Sequence, residues 1–235
     1  MITLVGPALQ RIDRNNPIYK SLTAAHPRLA KKDPGIWGTV AETEAAVRLN
    51  WIDLDESSRD LLPLLDAVAA KFRDRSNLVL CGMGGSSLAP EVIAKSFGKS
   101  IFILDSTDPD YLAHALNGTA ENLLVIVSSK SGSTIETASQ RAFFEDYLRK
   151  SKLDPTQHML FVTDPGSPLD QDVRAKGFTV INADPKVGGR FSALTAFGLT
   201  PATLMGVDAS ILLDQAGDCR TQLREDPAVA LDVAY

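Results

Sequence analysis

Hydrophobic positions along the chain follow two regimes that meet near residue 77. Beyond that point, short solid apolar runs alternate with stretches of helical spacing. The runs are Leu78-Val-Leu-Cys81, Ile101-Phe-Ile-Leu104, Leu123–Val127, Met159-Leu-Phe-Val162 and Phe178-Thr-Val-Ile181. Between and after them, residues 86–97, 108–116, 134–148, 168–175, 190–205 and 209–223 read as helices. Strands covered by crossover helices on both faces lose the apolar/polar alternation and read as unbroken apolar runs. Five such runs separated by helices predict an α/β fold, a three-layer α/β/α sandwich around a five-stranded, mostly parallel sheet. Ligands in such sheets bind at the carboxyl ends of the strands, where the strand order reverses.

Residues 1–60 carry no such run and hold Pro7, Pro17, Pro27 and Pro34. They read as an N-terminal arm with a short helix near 42–49, anchored to the main body by Trp37 and Trp51. Apolar positions at 61, 62, 65, 68, 69 and 72 have helical spacing and open the main domain. The predicted division is an arm over 1–60, the α/β domain over 61–206, and a connecting helix over 207–235.

Composition narrows the classes. The 235 residues are 44% hydrophobic and 23% charged, which excludes a disordered chain, a coiled coil and a collagen. The net charge is −5, and no polybasic run is present. No nucleic-acid partner is therefore expected, while a local basic pocket for a small anion stays open. The longest uncharged run, Phe191–Val207, is broken by Gly198, Pro201 and Gly206, so a buried helix is expected there and no membrane partner. Two isolated cysteines, Cys81 and Cys219, make neither a disulfide framework nor a zinc site. A reduced, cytoplasmic protein is expected.

Three loops carry candidate chemistry. The first, Gly82-Met-Gly-Gly-Ser-Ser87, follows the first run. Its glycines let a ligand approach the backbone, and its serines sit at a helix start. A dinucleotide fingerprint would need a glycine where Ser87 stands. The second, Ser128-Ser-Lys-Ser-Gly-Ser-Thr134, crowds five hydroxyls and one ammonium into seven residues at a helix start. Hydroxyls, free amides and the helix dipole there suit a phosphate. The lysine precedes the glycine, so this is not a Walker A loop. The third is Val187-Gly-Gly-Arg-Phe-Ser192, which exposes Arg190 at the strand ends. Each loop alone is also compatible with a plain turn. His26, His114 and His158 form no catalytic or metal-binding constellation with other residues.

Together, Gly82-Met-Gly-Gly-Ser-Ser87, Ser129-Lys-Ser-Gly-Ser-Thr-Ile-Glu-Thr137 and Gly188-Gly-Arg-Phe-Ser-Ala-Leu-Thr-Ala-Phe-Gly198 resemble the glucose-6-phosphate isomerase family. The first two motifs are similar to sugar isomerase (SIS) domains in general. The third, with Leu199-Thr-Pro-Ala202, points to that family within the class. The resemblance covers about residues 40–210. Arg48-Leu-Asn-Trp-Ile-Asp-Leu54 is also similar to the start of the isomerase half of bifunctional transaldolase/isomerase proteins.

The resemblance implies roles. Gly84, Gly85 and Ser86 would contact the sugar phosphate. Ser129, Lys130, Ser131, Gly132, Ser133 and Thr134 would hold its phosphate. Arg190 would stand near the reacting carbons, where a cis-enediolate forms between glucose 6-phosphate and fructose 6-phosphate. No cofactor or metal is implied, and a homodimer is expected of the full-length protein. The family's base glutamate, ring-opening histidine and late lysine have no counterpart in residues 1–235, and Glu136 is not that base. Either the chain is the N-terminal portion of a longer enzyme, or it is a free-standing sugar-phosphate-binding module.

Overall fold

The computed structural model describes residues 2–235. Five strands form one sheet: β1 (Asn77–Gly82), β2 (Phe102–Leu104), β3 (Leu123–Ser128), β4 (Met159–Thr163) and β5 (Thr179–Asn182). Every pairing is parallel, and the order is β2-β1-β3-β4-β5. Each strand lies within two residues of a predicted apolar run. The helices are α1 (Pro17–Leu29), α2 (Glu42–Arg48), α3 (Leu54–Ser57), α4 (Leu62–Lys71), α5 (Gly85–Ser96), α6 (Pro109–His114), α7 (Ile135–Lys150), α8 (Pro168–Ala175), α9 (Ala196–Leu204), α10 (Ala209–Glu225) and α11 (Pro227–Ala234).

The solid runs have the cause expected of them. Leu78, Leu80, Leu124, Ile126, Leu160 and Val162 pack on one face of the sheet with Leu65 and Val68 of α4, Phe197 of α9 and Leu213 of α10. Val79, Cys81, Val125, Val127, Met159 and Phe161 pack on the other with Phe144 and Leu148 of α7 and Val173 of α8. Successive strand residues thus enter opposite cores. The three-layer α/β/α architecture is the one the sequence predicts.

The helical run 190–205 divides. Residues Gly189–Leu194 form a 3-10 turn, and α9 begins at Ala196. Thr195 between them is extended, and its hydroxyl accepts the Phe197 N–H at 3.3 Å. A capping hydroxyl competes with helix continuation and starts a new helix instead. The last helix also divides: Asp226 caps Val229 N–H at 3.2 Å with Pro227 in the first turn. The arm holds a helix that periodicity does not reveal, α1, capped by Asn16 and containing Pro27. It packs on α11, where Tyr19 donates to Asp232 at 2.9 Å and Arg14 pairs with Asp232 at 2.8 Å. Trp51 stacks on Phe191 with centroids 5.1 Å apart, tying the arm to the third loop. Among the described residues, no helix is long and apolar enough to cross a membrane.

Candidate functional site

The strand order reverses at β1. From β1 the chain moves outward to β2, then returns to the other side of β1 to lay down β3. Gly82 pairs in register with Ser128, so the loops after these two strands open side by side at the switch point.

The first loop turns into α5 at Gly84, whose φ of +56° is a conformation that L side chains rarely adopt. Gly85 then passes against Gly189 of the third loop, and a Cβ on Gly85 would lie 2.1 Å from the Gly189 carbonyl oxygen. Ser192 reinforces the contact, its hydroxyl donating to the Gly189 carbonyl at 2.6 Å.

The second loop is stitched to β4. Ser129 N–H donates to Val162 O at 3.0 Å, and Lys130 O accepts Asp164 N–H at 3.2 Å. Gly132 N–H donates to Ser129 Oγ at 3.2 Å, and Ser131 Oγ lies 2.7 Å from Ser133 Oγ. Thr134 ends the loop without bonding back to the helix through its side chain, so the first-turn amides of α7 have no capping side chain. Lys130 Nζ reaches the Asp164 carboxylate at 2.8 and 3.0 Å.

These loops enclose a cavity of about 410 Å³ lined by Gly85, Ser86, Ser129, Lys130, Ser131 and Thr134 of the expected residues. The structure brings those six together. Ser128, Thr137, Asp164 and Arg48 line it as well. Ser128 and Thr137 are 1% and 2% exposed, and neither hydroxyl has a hydrogen-bond partner. Buried polar atoms are nearly always paired, so two orphans facing one cavity mark a place where a polar ligand or water completes them. Gly84 and Arg190 line a second cleft of about 280 Å³ that shares Gly85 and Gly189 with the first. Gly132 borders only a small void behind the loop, and Ser133 lies exposed on its rim. Gly132 has φ +72°, and a Cβ there would meet Leu169 Cβ at 2.4 Å.

Thr137 was within reach of sequence reasoning, because it stands three residues after Thr134 on the same helix face. Asp164 follows the strand next to β3. Arg48 carries no local signal, since it approaches from the arm.

Other chemistry-bearing residues lie elsewhere. His158 is buried beneath β3, bonded to Leu123 O at 3.0 Å, and burial pushes its pKa down. His26 contacts Leu223 O at 2.9 Å. Cys81 is fully buried, which raises its thiol pKa. A larger cavity, about 530 Å³, separates the arm from α10 and α11, but leucine, alanine and tryptophan dominate its wall. His26, Arg220 and Arg224 also line it, but Arg220 is held by Asp55 and Glu56, and His26 by the Leu223 carbonyl.

The phosphoglucose isomerase family model matches residues 66–222, which hold all three loops. The chain belongs to the phosphoglucose isomerase family. It is 36% identical over 174 residues to a glucose-6-phosphate isomerase of Synechococcus, covering 68% of this chain and 33% of that protein. It is 34% identical over 209 residues to the glucose-6-phosphate isomerase of Geobacter sulfurreducens, covering 84% and 38%. The chain thus spans about a third of the length of the phosphoglucose isomerase relatives it matches. Among solved structures, the hypothetical protein TT0462 from Thermus thermophilus superposes with a TM-score of 0.73 at 28% identity, covering 92% of this chain and 53% of that one. A glucose-6-phosphate isomerase from Chlamydia trachomatis shares the fold at a TM-score of 0.65 and 24% identity, covering 92% and 46%.

Proposed function

We propose that the cavity at the switch point binds the phosphate of a sugar phosphate, and that the chain is the sugar-phosphate-binding portion of an isomerase interconverting glucose 6-phosphate and fructose 6-phosphate. The observation that carries this reading is the pair of buried, unpartnered hydroxyls, Ser128 and Thr137, facing a cavity beside the α7 N-terminus and Lys130. Amides at a helix start, hydroxyls and an ammonium are the donors a phosphate oxygen accepts. Serines dominate this wall, so the site reads the anion by many short bonds.

Arg190 belongs to the reacting end of this proposal. With the phosphate against the second loop, the sugar extends past Gly85 toward the cleft that Arg190 lines. Removal of the C2 proton of the open-chain aldose leaves a cis-enediolate, and the proton returns at C1 to give the ketose. A guanidinium keeps its charge throughout and stabilises the enediolate oxygen as it forms.

One observation favours a second reading for this chain by itself. Among the described residues, Asp164 is the only carboxylate lining either cleft, it is held by Lys130, and neither cleft is lined by a histidine. A base for C2 is thus missing from the two clefts, and the chain alone would bind sugar phosphate without turning it over.

Titration of the chain with glucose 6-phosphate and with glucose tests the binding claim, and a coupled dehydrogenase assay tests turnover. Expected are binding of glucose 6-phosphate, none of glucose, and no formation of glucose 6-phosphate from fructose 6-phosphate above background. Equal binding of the two sugars would overturn the phosphate assignment. Robust turnover would overturn the binding-only reading and restore a base to the clefts.

A further inference from the structure

Arg48 ends α2, far in sequence from every loop of the site, yet it lines the cavity with the second loop. Its guanidinium is fixed on two sides. Nε donates to Glu44 Oε1 at 2.7 Å, and Nη1 donates to the Pro185 carbonyl at 2.7 Å. Lys130 Nζ approaches the same carbonyl oxygen at 3.5 Å. One backbone oxygen therefore gathers two cations, one from the arm and one from the second loop.

The backbone around Arg48 is not free to wander. Leu49 forms an antiparallel bridge with Val187, Asn50 Nδ2 donates to Asp184 at 2.7 Å, and Trp51 stacks on Phe191. Residues 48–51 are clasped along 184–191, the segment that leads into Arg190. The nearby carboxylates are already engaged: Asp164 with Lys130, Asp184 with Asn50, and Glu44 with Arg48 itself. Glu44 is 71% exposed, so water screens its hold on the guanidinium. A planar fork held on two edges presents its remaining N–H groups to an anion at a fixed angle.

We infer that Arg48 is a second cationic ligand for the phosphate, acting beside Lys130. The inference rests on the phosphate reading above and extends it to the arm. The second loop brings one cation, itself paired with Asp164, and Arg48 adds another. The arm is on this account part of the binding site.

The test is calorimetric titration of the 235-residue chain with inorganic phosphate and with glucose 6-phosphate, for wild type, Arg48→Gln and Arg48→Lys, with thermal midpoints measured on the free proteins. Glutamine keeps a donor for Pro185 and removes the charge. The expected result is a loss of about 10–100-fold in affinity for both probes in Arg48→Gln, the effect of one charge-assisted hydrogen bond. Arg48→Lys should recover part of it. Wild-type affinity in Arg48→Gln would overturn the inference and leave the phosphate loop standing. Equal loss in the glutamine and lysine variants, with a lowered midpoint in both, would make Arg48 a structural clasp and overturn it likewise. No binding of either probe by wild type would overturn the phosphate reading and this inference together.

Discussion

Gly85 and Gly189 meet backbone to backbone: a Cβ on Gly85 would lie 2.1 Å from the Gly189 carbonyl oxygen and 2.7 Å from its carbon. No side chain is there to yield, so the first and third loops keep their spacing only while residue 85 is glycine. That contact forms the wall shared by the two clefts. Gly85→Ala is expected to lower stability by about 1–3 kcal/mol, the range for overpacking, and to weaken glucose 6-phosphate binding at least tenfold. Gly84→Ala meets open space, but φ +56° with ψ −120° lies outside even the left-handed helical region, and backbone strain alone should lower stability by about 1–3 kcal/mol. Chemical denaturation of the two variants checks both losses, and wild-type stability in either would contradict the prediction.

On the proposed function, the second loop would bond its ligand through groups that are individually removable. Ser131→Ala and Thr134→Ala should each weaken sugar-phosphate binding by about 1–3 kcal/mol, the range for hydrogen bonds to a charged group. Unchanged affinity by calorimetry in both variants would remove the loop from the site.

Ser128 and Thr137 behave differently from those two hydroxyls. Each is buried and has no hydrogen-bond partner within the protein. Replacing an unsatisfied buried hydroxyl by a methyl of the same shape removes a desolvation penalty. Thr137→Val should therefore leave the free protein as stable as wild type or more so, and reduce the rise in thermal midpoint that glucose 6-phosphate produces. A variant that loses stability without ligand yet keeps the full ligand-induced rise would contradict this.

His158 makes stability depend on pH. Burial lowers its pKa, and Arg75, 3.4 Å from Nε2, lowers it further, against the raising effect of the Leu123 bond. Below the ordinary imidazole value of about 6.5, the unfolded chain takes a proton that the folded chain refuses. The stability from neutral His158 is thus complete above that value and falls as pH drops. Its contribution to the slope is at most about 1.4 kcal/mol per pH unit. His158→Gln should flatten the dependence of the thermal midpoint between about pH 7 and 5. An unchanged slope would assign the acid sensitivity to the carboxylates instead.

The sheet was legible because each strand residue is buried on one face or the other. Leu78 and Val79 enter opposite cores, so polarity never alternates along the run. The second loop was legible because its chemistry is local, five hydroxyls and a lysine in seven residues. What stayed hidden is long-range. The contact between Arg48 and Pro185 spans 137 positions and uses a backbone carbonyl, which no side-chain pattern announces. The break at Thr195 hangs on one hydroxyl choosing to cap. α1 was obscured by Pro27 within it and by its burial against α11, an element that is itself set off by Pro227.

On the proposed function, the phosphate sits between the first two loops. A crystal structure of the chain soaked with glucose 6-phosphate would show this. The account predicts the phosphate within hydrogen-bonding distance of the amides and hydroxyls of Ser129–Thr134 and of Lys130, with the Ser128 and Thr137 hydroxyls newly bonded to ligand or to water, and the sugar directed toward Arg190. A sugar phosphate bound in the apolar cavity between the arm and α10, or with its phosphate on Arg190 and its sugar in the serine loop, would contradict it.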